Sequence, residues 1–245
     1  MKIAICVAGI VRGNVGDNIK RAQDHFGNIT NTNTFFATWE EYKNPESDRL
    51  GCSYFPEPAL DYNPWLDCEE SPHPKYTGYR KRMLAGDKMN AKLLHASKQI
   101  VAHAHQLKTQ VPREYDLIVR TRWDTFISDR VDFQKYLDYA YENRCAVGFA
   151  IRGNRHSNVH KFKDIPKIYS KEGQHLSISQ DWGWWINDNL IIHHRYIFKP
   201  DKVLKLYEQK KLLPAEYGWY QVLSEGRDDH LSVYGGAALE RYVRR

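Results

Sequence analysis

The chain opens on an apolar run, Lys2 to Ala8 (KIAICVA), in which Ile3, Ile5 and Val7 are β-branched. Such a run, bounded by Gly9 and Gly13, predicts a buried strand, and a helix is expected to follow at about 15–26. Thr34 to Thr38 (TFFAT) predicts a second strand. Pro45, Pro56, Pro58, Pro64, Pro72 and Pro74 then crowd the stretch 44–78, among Tyr54, Phe55, Tyr62 and Trp65. That mixture predicts a long ordered loop or an irregular extension, of the kind that often forms substrate lids, and not a linker. From about Tyr79 to Gln110 the residues Met83, Leu84, Met89, Leu93, Leu94, Ile100, Val101 and Leu107 recur on one side of a helix, with Gly86 as a break. His95, His103 and His105 lack the spacing of a helical metal pair and read as surface residues.

The second half continues the alternation. A strand at Leu117–Val119 leads to a helix at about 132–141, a strand at Cys145–Ile151, a strand or strand pair at 190–198, a helix at 202–211 and another opening near Pro214. Strands alternating with helices predict an α/β fold: a mainly parallel sheet flanked by helices, with the proline-rich stretch as a loop insertion. One domain over 1–245 is expected, with 1–150 and 151–245 as its two halves.

The segment Tyr115–Asp124 (YDLIVRTRWD) changes the picture from architecture to chemistry. A core strand ends there in Arg120, Arg122 and Asp124, which share one face if the chain stays extended. Guanidinium forks suit phosphate oxygens, and a lone carboxylate suits a divalent metal or a sugar hydroxyl. The plainer alternative is an Arg–Asp ion pair sealing the strand. The first two strands end comparably, Ala8-Gly9 with Arg12 beyond and Thr38-Trp39. In a parallel sheet these residues flank one another at the carboxyl edge, where ligands bind. Gly9 allows a close backbone approach and Arg12 a phosphate contact, although G-x-G-x-x-G is absent. Further on, Ser179–Asn189 concentrates three tryptophans with Asp181 and Asp188, rings for sugars or bases and carboxylates for hydroxyls or base catalysis. A tryptophan-rich core corner is the alternative for the rings.

Charge and composition narrow the partners. Thirty-six Lys and Arg against 30 Asp and Glu give a net charge of +6, which leans towards anionic partners. The basic stretch 152–175 adds to this, with Arg152, Arg155, Lys161 and Lys163 as a candidate acceptor surface; His156 and His160 lack the helical pattern a metal pair needs. Hydrophobic residues at 42% and aromatics at 13% exclude a disordered chain. Cys6, Cys52, Cys68 and Cys145 form no C-x-x-C pair and suit reduced thiols, and no apolar run reaches a membrane span. A cytoplasmic location is expected.

The opening A-G-I-V-R-G, the Y-D-L-I-V-R-T-R-W-D segment and the run Asp188–Ile192 together resemble small GT-A-type nucleotide-sugar glycosyltransferases of the bacterial surface-polysaccharide or phage-encoded kind. The resemblance implies a GT-A-like, Rossmann-like fold and transfer of a sugar from a nucleotide-sugar donor to an acceptor hydroxyl. The acceptor it implies is a glycan, or a hydroxymethylated pyrimidine of phage DNA. By the resemblance Arg12, Arg120 and Arg122 stabilise diphosphate charge, and Ala8, Gly9, Thr38 and Trp39 line the nucleotide pocket. Asp124 is then the ligand for Mn²⁺ or Mg²⁺ or for the sugar, and Asp188, Asp181 or, third, Glu216 is the base. The family's D-x-D pair is broken here by Arg122, which puts metal use in doubt, because an arginine can itself neutralise the leaving group. A non-enzymatic nucleic-acid or glycan-binding protein is the rival class. A P-loop kinase is disfavoured by the lack of G-x-x-x-x-G-K-[ST].

Overall fold

A computed structural model describes residues 1–9, 32–59, 61–62, 85, 88–123, 125–127, 133–149, 168–169, 175–179, 188–213, 215–223, 231–234 and 239–241. Six consecutive buried residues form the first strand, β1 (Ile3–Ala8). Its side chains alternate between two apolar clusters, Ile3, Ile5 and Val7 on one face and Ala4 and Cys6 on the other. A strand covered on both faces needs apolar residues at every position, hence the unbroken run. β2 (Thr32–Trp39) and β4 (Leu117–Thr121) flank β1 in parallel, and β3 (Ser53–Phe55) lies parallel outside β2.

Beyond β4 the sheet becomes mixed. Among the described residues it continues through β9 (Leu190–His194), β6 (Ala146–Phe149), β10 (Leu231–Tyr234), β8 (His175–Ser179) and β7 (Ile168–Tyr169). β9 runs antiparallel to both β4 and β6. The α/β class is therefore as the alternation implies, while the parallel character belongs to β3-β2-β1-β4 and the β6–β10 pair. A separate ribbon pairs β5 (Thr125–Ile127) with β11 (Leu239–Arg241).

Helices cover both faces. α3 (Phe133–Glu142) lays Phe133, Tyr136, Leu137 and Ala140 on the Ile3–Val7 face. The opposite face carries α2 (Lys88–Thr109), with α4 (Pro200–Glu208) and α5 (Ala215–Leu223) packed against it. The small Ala4 and Cys6 let α2 sit close to the sheet. The described part of the proline-rich stretch is loop over 56–59 and 61–62, preceded by a short helix and a short strand. Asn44 caps α1 (Pro45–Arg49) by accepting from the Glu46 and Ser47 amides at 3.0 and 2.9 Å, with Pro45 pre-set at the first helical position. β3 follows as an edge strand. Residues 63–84, the expected helix at 15–26 and nearly all of 152–175 lie outside the described residues. Among the described residues no helix is long and apolar enough to cross a membrane.

Candidate functional site

The chain leaves β1 for β2 and β3 on one side and returns to β4 on the other. Such a reversal opens a crevice outside the carboxyl ends of the two diverging strands. Here those ends are Ala8-Gly9 and Thr121-Arg122. Antiparallel β9 contributes its beginning to the same edge, because Leu190 pairs with both Thr121 and Phe149. Asp188 and Asn189 are thereby delivered beside Arg122.

The edge is held by specific polar contacts. Thr38 donates its hydroxyl to the Gly9 carbonyl at 3.0 Å, which ties the ends of β1 and β2 together. Gly9 has φ +110°, and a Cβ there would collide with the carboxamide of Gln99, 2.5 Å from its Nε2. Only glycine suits that position. Thr38 is buried, and Trp39 is buried in a small cluster with Ala8, Ala37, Phe55 and Ala102. The Trp39 ring packs edge-on against Phe55 at 5.2 Å, so it serves the wall of the fold rather than an open pocket.

Arg120 and Arg122 part company. The extended strand stops at Thr121, and the chain turns at once, with the Thr125 amide donating to the Arg122 carbonyl at 3.3 Å. The continuous face expected for Arg120, Arg122 and Asp124 therefore does not extend past Thr121. Arg120, fully buried, lies on the α2 face of the sheet. Its guanidinium donates to the Asp188 carbonyl and to Gln99 Oε1 (3.1 Å), and sits 5.1 Å above the Trp219 ring. Arg122 is only partly buried, with Nη1 3.5 Å from Asn189 Oδ1. It is the guanidinium at the edge itself.

Behind this edge lies a buried histidine pair. His103 of α2 is not a surface residue: it faces the sheet, its ring against His193 of β9 and flanked by Phe198 and Trp219. His193 Nδ1 faces the His194 carbonyl at 3.1 Å, and a carbonyl only accepts, so that nitrogen carries a proton. His193 Nε2 then accepts from His103 Nε2–H at 3.0 Å. Burial holds both imidazoles neutral, pushing His193 down to about 3 and His103 well below its usual value. Burial pushes the Cys6 thiol well up, which rules it out as a ready nucleophile.

Other expected residues fall elsewhere. Asp188 stands at the edge, partly buried; Glu216 lies in the first turn of α5; Arg12, Asp124 and Asp181 lie outside the described residues. Among the described residues no group of three or more His, Cys, Asp or Glu is gathered as a metal site. Asp124, the expected metal ligand, lies outside the described residues, so the described groups do not test a metal; the partly buried guanidinium of Arg122 suits an anion. Asn189, Gln99 and Trp219 join this edge without having been singled out. Asn189 adjoins Asp188 in the Asp188–Ile192 run, and Gln99 gives no signal within an amphipathic helix.

No family model matches the chain, and no curated protein matches it. Solved structures that resemble it include a 4-diphosphocytidyl-2C-methyl-D-erythritol synthase from Anaerococcus prevotii, at 11% identity and a TM-score of 0.41, covering 100% of this chain and 92% of that one. Another is a mannose-1-phosphate geranyltransferase from Thermus thermophilus, at 11% identity and TM-score 0.39, covering 98% and 76%. A third is the galactosyltransferase LgtC in complex with donor and acceptor sugar analogues, at 9% identity and TM-score 0.37, covering 92% and 72%. All three are loose likenesses at low identity.

Proposed function

We propose that the chain is a glycosyltransferase that moves a sugar from a nucleotide-sugar donor to an acceptor hydroxyl. The observation that carries this reading is the meeting of Arg122 with Asn189, the neighbour of Asp188, at the reversal point of the sheet. In this reading the donor diphosphate lies against Arg122. The acceptor oxygen forms its bond to the anomeric carbon as the bond from that carbon to the diphosphate oxygen breaks. The acceptor proton passes to the Asp188 carboxylate, and the electron pair leaves with the diphosphate, whose growing charge Arg122 meets. Residues 1–150 supply the donor side, and Asp188 and Asn189, from 151–245, the acceptor side. A glycan hydroxyl is the acceptor put forward.

The test is release of nucleoside diphosphate from a panel of nucleotide sugars incubated with glycan acceptors. Turnover is expected with at least one donor. Arg122→Ala is expected to lower it by about 10²–10³ while leaving the melting temperature unchanged, as for loss of one preorganised donor to a developing charge. An Arg122→Ala protein that is destabilised yet fully active would sink the reading. Binding of a sugar nucleotide or glycan without turnover would instead assign a non-enzymatic binding protein.

A further inference from the structure

We infer that Gln99 is a positioning residue: its carboxamide, through Arg120, fixes where the start of β9 stands at the edge of the sheet. This rests on the reading above only for what the edge binds. Gln99 meets two segments of the site at once. Its Oε1 accepts from Arg120 Nη2 at 3.1 Å, and its carboxamide lies flush on the backbone of Gly9, where even a Cβ would not fit. Arg120, so held and backed by the Trp219 ring, donates its other terminal nitrogen to the Asp188 carbonyl. Asn189, the next residue, faces Arg122.

The chain of contacts therefore runs from α2 to the end of β1, the end of β4 and the start of β9. A buried guanidinium can point its fork in several directions as its side chain turns, and each acceptor it meets removes some of them. Gln99 supplies an acceptor from a long helix, whose backbone is fixed by its packing on the sheet. Arg120 is then a rigid strut and not a ligand, and Arg122 is left to meet the anion. Glycine at position 9 is required by its φ of +110°, and the Gln99 carboxamide occupies the space beside it.

A packing role and a positioning role make opposite demands on substitutions. Gln99→Met keeps the length and volume of the side chain but removes the acceptor. Gln99→Glu keeps an acceptor for Arg120 and adds a partly buried charge beside that guanidinium. The experiment is hydrogen–deuterium exchange of the free protein with melting temperature on each variant, together with calorimetric binding of inorganic pyrophosphate and of UDP. In Gln99→Met the amides at 188–190 are expected to exchange roughly tenfold faster, the loss of one hydrogen bond to a charged group, with Val119 and Ile192 unchanged. In Gln99→Glu they are expected to stay at the wild-type rate. Exchange at 188–190 that is unchanged in Gln99→Met, or loosening throughout the protein, would overturn the inference. So would a Gln99→Glu protein as loose as Gln99→Met. Pyrophosphate is expected to bind Gln99→Met about tenfold more weakly than wild type. A wild-type protein that binds neither pyrophosphate nor UDP would end the glycosyltransferase reading, while the exchange rates still decide the role of Gln99.

Discussion

On the α3 face of the sheet, Ile3, Ile5, Val7, Leu117, Val119, Leu190 and Ile192 meet Phe133, Tyr136 and Leu137, an interior of aliphatic and aromatic side chains. On the α2 face, strands of the same sequence carry Arg120 and His193 among their apolar residues, and the helices above supply Gln99, His103 and Trp219. Each strand alternates between the faces, so one residue in two belongs to the quiet side and the next to the side that leads to the edge. A polar group in a core costs free energy unless its hydrogen bonds are met. The α3 face also holds the buried His194, beside Tyr141 of α3, but among the described residues the polar groups are more numerous on the α2 face, along a path that ends at Arg122.

The largest expected effect breaks the comparison from the quiet side. Leu137→Ala removes a fully buried side chain of α3 and is expected to cost about 2–5 kcal/mol, read by urea denaturation. Pyrophosphate binding by the folded protein should be unchanged. A matching loss of affinity would show that the two faces are not separable.

Gly218→Ala tests the other side with a smaller change. A Cβ at Gly218 would strike the Leu213 carbonyl and stand 2.5 Å from Ile100 Cδ1, because α5 crosses close over α2. Such overpacking is expected to cost about 1–3 kcal/mol. It must also push the neighbouring Trp219 away from Arg120, so stability and pyrophosphate affinity should fall together. A variant that melts earlier but binds pyrophosphate as wild type would detach Trp219 from the site.

Much of this division is legible in the sequence, and its limits are physical. β1, β4 and β9 are evident because strands buried on both faces need continuous apolar runs, and Leu117–Val119 and Leu190–Ile192 are such runs. The different fates of Arg120 and Arg122 are not evident. Both follow the same apolar run, and extension stops at a turn in which the Thr125 amide meets the Arg122 carbonyl. α1 hides in a proline-rich stretch although Asn44-Pro45 is a helix start, since proline density alone argues for a loop. His103 escapes because a polar residue reads as surface, although it stands three residues after Ile100 and four before Leu107 on the buried stripe of its helix. That Asp188 and Asn189 adjoin Arg122 follows from β9 running antiparallel, which no short-range pattern encodes.

The smallest expected effect belongs to the histidine pair, and pH reads it. Both imidazoles are buried and held neutral, with Arg120, Arg195 and His194 as the charged or titratable groups around them. In the unfolded chain each takes up a proton as the pH falls below about 6.5. In the folded protein His193 does so only near 3, and His103 far below its ordinary value. The unfolded state therefore binds more protons through this window, and stability is full above pH 6.5 and is lost as acid is added. Between pH 7 and 6 the pair together should cost about 1 kcal/mol, with a steeper loss below. His103→Leu combined with His193→Leu removes both partners at once, which leaves neither ring with a buried unmet nitrogen. The double variant should melt with a flatter dependence on pH from 7 to 5 than wild type. His103→Leu alone should be less stable throughout, because His193 Nε2 loses its donor, and should retain roughly half the slope. Equal slopes in wild type and double variant would mean the pair does not carry the acid sensitivity of the α2 face.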